Sequence, residues 1–307
     1  MKLAIKTCTL DLPYLEMLDF CVDQDVGLIE LGTGNWSSAP HLDLDQLLSS
    51  EATLNQWLSE QEKRNIKVCA LNCSGNPLAY EEDLVVTYKT FQLAEKIGVK
   101  KIVMMSGLPP GHKNDRTPAW ITTSWPPETQ DILEYQWNEV AIPVWGEIIK
   151  KAKNHGIEKI ALENHGMQLV YNPETLFKLR SEIGPMVGMN LDPSHLFWMG
   201  SNPIDAVRIL GEQNAIYFVH GKDARIEVRN NAPNGVLDTK PIERFKERSW
   251  NYVAVGAGHD QQWWHEFVSV LRMYGYDDII SLEMEDLTMS SYSGHLISLE
   301  TLRKAIR

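Results

Sequence analysis

Apolar residues fall into short runs of strand length, and between these runs they recur at the three-to-four-residue spacing of one helix face. The runs read as strands at Leu3–Thr7, Gly27–Gly32, Lys67–Asn72 and Lys101–Ser106, then within KIALENHG (159–166), VGMNLDPSH (187–195), IYFVHGKD (216–223) and IISLEMED (279–286). After the first strand, Leu15, Leu18, Cys21 and Val22 share a helical face. Further helical patterns run from Asp45 to Arg64, from Asp83 to Ile97 before Gly98, and from Ile132 to His155, where Pro143 predicts a kink or interruption. Others cover Glu174–Ile183, Pro203–Gly211, Gln261–Tyr274 and His295–Ile306.

Two excursions break the rhythm. The first, 107–127, is rich in Pro, Gly and Thr and carries Trp120 and Trp125; the second spans 224–258. Loops of this length inside a compact domain usually form lids or binding loops. Eight strands alternating with eight helical patterns, with no compositional break, predict an α/β fold: a single (β/α)8 TIM barrel over 1–307, with long βα loops after strands four and seven. An open doubly wound sheet would need a Gly-rich phosphate turn, and neither GxGxxG nor GxxxxGK[ST] occurs.

The formal charge of −12 argues against a nucleic-acid partner, because phosphate binding relies on clustered Lys and Arg. Ten tryptophans exceed the needs of one core and suggest a lined cleft. Cys8, Cys21, Cys69 and Cys73 form no CxxC motif, so they read as reduced core thiols, with Cys69 and Cys73 as zinc ligands the lesser alternative. The N-terminus lacks the pattern of a signal peptide and no run reaches membrane-span length, so the expectation is a cytoplasmic protein without a membrane partner.

The chemistry concentrates at the ends of the last four strands. Each apolar run leads into one metal-competent side chain: Glu163, Asp192, His220 and Glu283. A buried strand ending in a bare carboxylate needs a compensating charge, and one divalent cation would serve all three carboxylates. Barrel enzymes place their chemistry at these strand ends. Two Glu, one Asp and one His form an oxygen-rich set that suits Mn²⁺ first, with Mg²⁺, Co²⁺ and Zn²⁺ also compatible. Each of the four, taken singly, could equally be a hydrogen-bonded core residue.

His165 lies two residues beyond Glu163 and is either an additional base or a partner of the metal ligands. Lys222 is a candidate for holding a substrate oxygen, or else a surface lysine paired with Asp223. In VGAGHD (255–260) the glycines permit close approach of backbone and His259 is a candidate mouth residue, with Asp260 a helix cap. Trp36 and Trp125, on the loops after strands two and four, are candidate substrate contacts.

LGTGNW and ALNCSGNP in the first half, with ENHG, DPSH, HGKD, VGAGHD and GYDDIISLEMED in the second, resemble the xylose isomerase-like barrel superfamily. Within it the chain is similar to the sugar phosphate isomerase/epimerase group that includes tagatose and psicose 3-epimerases. That resemblance implies that Glu163, Asp192, His220 and Glu283 bind the metal, that His195 of DPSH contacts a substrate oxygen, and that Arg225 stands for the group's arginine after strand seven. The group's substrate-binding Glu shortly after the strand-five Glu has no counterpart in GMQLVY (166–171), a departure that bears on a free ketose as substrate.

Together these readings predict a metal-dependent sugar isomerase or epimerase acting on a ketose or keto-sugar through a metal-stabilised enediolate, with Glu163 and Glu283 as the pair that moves the proton. The alternative is a lyase or deglycosidase that expels the C1 substituent of a 3-keto-glycoside. An apurinic-endonuclease-like repair enzyme is disfavoured by the acidic charge, and a non-catalytic sugar-binding barrel is the bland reading. The expected partners are a sugar or glycoside and further copies of the chain, in a dimer or tetramer.

Overall fold

Parallel strands covered on both faces must be apolar along nearly their whole length, which is why the runs above lack strict alternation. In the computed structural model, which describes residues 1–307, the strands are β1 (Lys2–Lys6), β2 (Leu28–Gly32), β3 (Lys67–Asn72), β4 (Lys101–Met104) and β5 (Lys159–Glu163). They continue as β6 (Val187–Leu191), β7 (Ile216–Gly221), β8 (Asp223–Ile226), β9 (Trp250–Val253) and β10 (Ile279–Leu282). All but β8 and β9 close into a parallel barrel in the order β1-β10-β7-β6-β5-β4-β3-β2. The chain is thus a (β/α)8 barrel, as its periodicity predicts.

The helices are α1 (Tyr14–Asp23), α2 (Leu44–Ser49), α3 (Glu51–Glu62), α4 (Glu81–Ile97), α5 (Glu128–Glu134) and α6 (Ile142–Asn154). After them come α7 (Pro173–Ile183), α8 (Pro193–Trp198), α9 (Pro203–Glu212), α10 (Val228–Asn234), α11 (Gln261–Met273) and α12 (Ser291–Ile306). Side-chain caps set many of their starts. Asn172 and Thr175 form a reciprocal capping box on α7, Asn202 caps α9 and Asp260 caps α11. One compact half of the chain comprises 1–30, 60–67 and 191–307, the other 31–59 and 68–190, and the residues of β2 and β6 contribute to both.

Three elements differ from the sequence expectation. The helix expected over Asp45–Arg64 is broken at Ser50, whose extended backbone and Oγ, accepting from Thr53 N at 3.2 Å, restart the chain as α3. The helix expected over Ile132–His155 is interrupted, but just before Pro143: residues Tyr135–Ala141 form a π-helical segment between α5 and α6. Pro143 lacks the N–H that would continue an α ladder, and the preceding turns widen. The 224–258 excursion is partly ordered, because β8 and β9 pair antiparallel from Asp223–Val253 to Ile226–Trp250.

All four cysteines are free, and burial pushes the Cys21 and Cys73 thiols up to about 12, so both stay protonated core side chains. No helix is long and apolar enough to cross a membrane.

His295, inside α12, supplies a first prediction. Its Nδ1 donates to Ser291 O at 2.8 Å, Phe20 packs edge-on against the ring, and burial holds its pKa down at about 4. Between an ordinary value of roughly 6.5 and that lower one, the unfolded chain carries the proton and the folded chain does not, so stability falls with acid across this window. The size of the effect is up to about 3 kcal/mol. The stability difference between wild type and His295→Gln, followed by denaturation at stepped pH, should shrink from pH 6.5 down to 4 and then level off.

Candidate metal centre

Four barrel strands each deliver one ligand-type group to a common point. Glu163 is the last residue of β5, Asp192 and Glu283 directly follow β6 and β10, and His220 is on β7. All four side chains are buried, and one donor atom from each lies within 4.8 Å of the others.

His220 is held from behind. Its Nε2 is 3.2 Å from both oxygens of Glu30, a fully buried carboxylate on β2. Ser281, in register with His220 on the neighbouring strand, donates from Oγ to Glu30 Oε2 at 2.6 Å. A carboxylate only accepts, so Nε2, which faces Glu30, carries a proton; Nδ1 is directed at the cluster, 2.7 Å from Glu283 Oε2, and would give up any proton of its own when a cation binds. This is the usual way in which an outer carboxylate fixes the tautomer of a metal-binding imidazole. Burial alone would lower the His220 pKa, but Glu30 and Glu283 outweigh it and draw positive charge toward this point.

Glu283 divides its two oxygens. Oε1 receives the ammonium groups of Lys6 at 2.9 Å and Lys222 at 3.0 Å, whereas Oε2 faces the cluster and lies 2.7 Å from His220 Nδ1. Burial pushes this carboxyl up, yet Lys222, Lys6 and His220 hold it well below the usual carboxylate range. Lys222 also pairs with Glu285 at 2.7 Å and lies 4.3 Å from the centre of the Tyr252 ring.

Asp192 Oδ1 caps α8 by accepting from Ser194 N at 2.8 Å, and Oδ2 is 3.4 Å from His195 Nε2. Trp198 Nε1 donates to His195 Nδ1 at 3.4 Å, with Tyr252 Oη 3.2 Å from the same nitrogen. An indole N–H can only donate, so a neutral His195 carries its proton on Nε2, toward Asp192.

Around the cluster, the buried carboxylates Glu30, Glu163, Asp192 and Glu283 lie close to two buried ammonium groups, Lys6 and Lys222, in a setting rich in charge. The oxygen-rich donor set, with Glu283 Oε2 turned into it, fits a divalent cation.

Glu30 gives a direct test. Glu30→Gln removes the charge behind His220 while keeping its size, and divalent-ion affinity measured by calorimetry should fall about 10- to 100-fold with the fold unchanged by circular dichroism.

The other sequence candidates are placed as follows. Lys222 pairs with Glu283 and Glu285 rather than lying on the surface beside Asp223. His259 Nδ1 lies 2.8 Å from Asp223 Oδ1 and its ring stacks on Phe197 at 3.6 Å. Arg225 reaches outward to Glu227 at 2.7 Å. His165 is half-buried, its Nδ1 against Gly166 O, and does not belong to the four-residue group. Trp36 and Trp125 are exposed. Sequence reasoning missed Glu30, Lys6 and Tyr252.

A family model described as a xylose isomerase-like TIM barrel matches residues 18–305. The chain is 54% identical to the uncharacterized protein YfiH of Bacillus subtilis (strain 168), over 100% of this chain and 99% of that one. Among solved structures it is similar to the IolI protein with a bound zinc atom, at 18% identity and TM-score 0.66, covering 100% of this chain and 98% of the other. It is also similar to D-psicose 3-epimerase from Clostridium cellulolyticum H10, at 11% identity and TM-score 0.65 over 100% of both chains.

Proposed function

Because the chain belongs to the xylose isomerase-like TIM-barrel family, we propose that it is a divalent-metal-dependent enzyme that isomerises or epimerises a ketose or keto-sugar derivative. The observation that carries this reading is the convergence of Glu163, Asp192, His220 and Glu283 in one buried group of three carboxylates and an imidazole. Mn²⁺ suits this donor set best. When bound, the ion supplies Lewis acidity at a substrate carbonyl, which makes the neighbouring C–H acidic enough for a carboxylate to act on.

The protein's own groups do the rest. Glu163 takes the α-proton. The Nε2–H of His195 donates to a substrate oxygen, held in that direction by Trp198 and Tyr252 at Nδ1. Lys6 and Lys222 fix Glu283 through Oε1, so its Oε2 keeps one orientation as the substrate arrives. Burial of the whole group excludes water that would compete for the proton.

A second reading is elimination, in which a 3-keto-glycoside loses a proton and then its C1 substituent. The unequal setting of Glu283 favours it: a carboxylate clamped between two ammonium groups is a weak base, and elimination needs only one. Incubation of Mn²⁺-loaded protein with ketoses and 3-keto-glycosides in D₂O tests both. Deuterium at the carbon beside the carbonyl with an intact skeleton supports the first reading, and release of a free aglycone supports the second. No exchange and no release with any of them counts against both.

A further inference from the structure

The π-helical segment Tyr135–Ala141 is unused by the metal centre. Such segments are rare and are found frequently at functional sites. This one aims Gln136 and Trp137 into a cavity of about 260 Å³, shared with Trp120, Tyr171, Leu133 and Gln168. Trp120 and Tyr171 meet edge to face, with ring centres 5.5 Å apart. The loops that follow β4 and β5 contribute Leu108 and Gln168, so the cavity is built on the C-terminal side of the barrel strands, in the half of the chain that contains Glu163.

Gln136 is fully buried, and its amide is half used. Nε2 donates to Pro109 O at 2.9 Å and Ala119 O at 2.7 Å. Carbonyl oxygens cannot donate, so these contacts fix which end of the amide is nitrogen. The other end, Oε1, accepts no hydrogen bond. A buried amide oxygen without a donor costs on the order of 1–3 kcal/mol, and a cavity is the natural source of the missing partner.

We propose that this cavity is a ligand site for a small planar ring carrying a hydroxyl or amino hydrogen. Trp120, Trp137 and Tyr171 supply the faces and edges that a ring packs against, and Gln136 Oε1 receives its hydrogen bond. The volume lies just below the roughly 300–1,000 Å³ of drug-sized pockets, which limits the occupant to one small ring system.

Calorimetric titration of the full chain with 4-methylphenol and with toluene tests the proposal. The expected result is binding of the phenol, with toluene at least about tenfold weaker because it brings no donor. Ile121→Trp, which fills the cavity from its lining, should abolish phenol binding while the melting temperature is kept. Gln136→Met should erase the preference for phenol over toluene. Failure of the phenol to bind, equal binding of both probes, or undiminished binding to Ile121→Trp would each overturn the assignment. Repeating the titration with and without Mn²⁺ separates this site from the metal centre, since the phenol should bind equally in both conditions; binding that appears only with Mn²⁺ would also overturn it.

Discussion

Glu163→Gln is expected to slow deuterium exchange at the substrate α-carbon by about 10²- to 10⁴-fold, the usual worth of a positioned general base. The substitution is informative because it separates two duties of one side chain. Gln keeps a carboxamide oxygen that can still face the cation, but it cannot accept the proton. Metal content should therefore survive at reduced affinity while turnover collapses. The assignment fails if exchange persists at wild-type rates in a variant that still binds the ion. The same pair of measurements on Glu283→Gln should give the opposite balance. Its Oε2 is turned into the cluster while its Oε1 is occupied by two lysines, so loss of bound metal should dominate.

Lys222→Met has the second-largest expected effect, on stability rather than on chemistry. Lys222 is buried, and its ammonium group joins Glu283 and Glu285 over the face of Tyr252. Deleting one member of a buried ion pair strands the other charge at a cost of about 3–5 kcal/mol. The metal-free variant should melt several degrees below wild type. Added Mn²⁺ should recover part of the loss, because a ligand that binds only the folded state stabilises it. A melting temperature equal to wild type without metal would show that Lys6 alone satisfies Glu283.

The barrel is legible in the sequence because strands buried on both faces write themselves as unbroken apolar runs, and helices outside them keep an amphipathic stripe. The four ligand-type residues are legible for a related reason: each interrupts such a run at its end. Glu30 and Lys6 carry the same signal inside LIELG and LAIK, yet there it is harder to interpret. A charge in the barrel wall is explained only by its neighbours, and the register that sets Lys6 beside Glu30 belongs to the closed barrel rather than to either segment. Tyr252 is less accessible still, since nothing local shows that an excursion of this length would fold back as a hairpin and turn one ring toward Lys222 and His195. The break at Ser50 stayed hidden because it lies within a helical stripe that continues across it, whereas Pro143 marks an interruption in the sequence without showing that it takes a π-helical form.

Asp223 gives that excursion an unusual independence. Its carboxylate accepts from Ala224 N beside it and, from the far end of the excursion, from the N–H groups of Gly256, Gly258 and His259. Gly258 is packed so close to Ala224 O that a methyl group there would lie 2.5 Å from it. Entry and exit are thereby fastened to one point, like the two ends of a purse string. The stretch between them can lengthen at small cost, since doubling a flexible loop adds only about 0.6 kcal/mol of closure entropy. Selection can therefore rebuild this excursion, residue by residue or by whole insertions, while the barrel beneath it and the charges around His220 stay as they are.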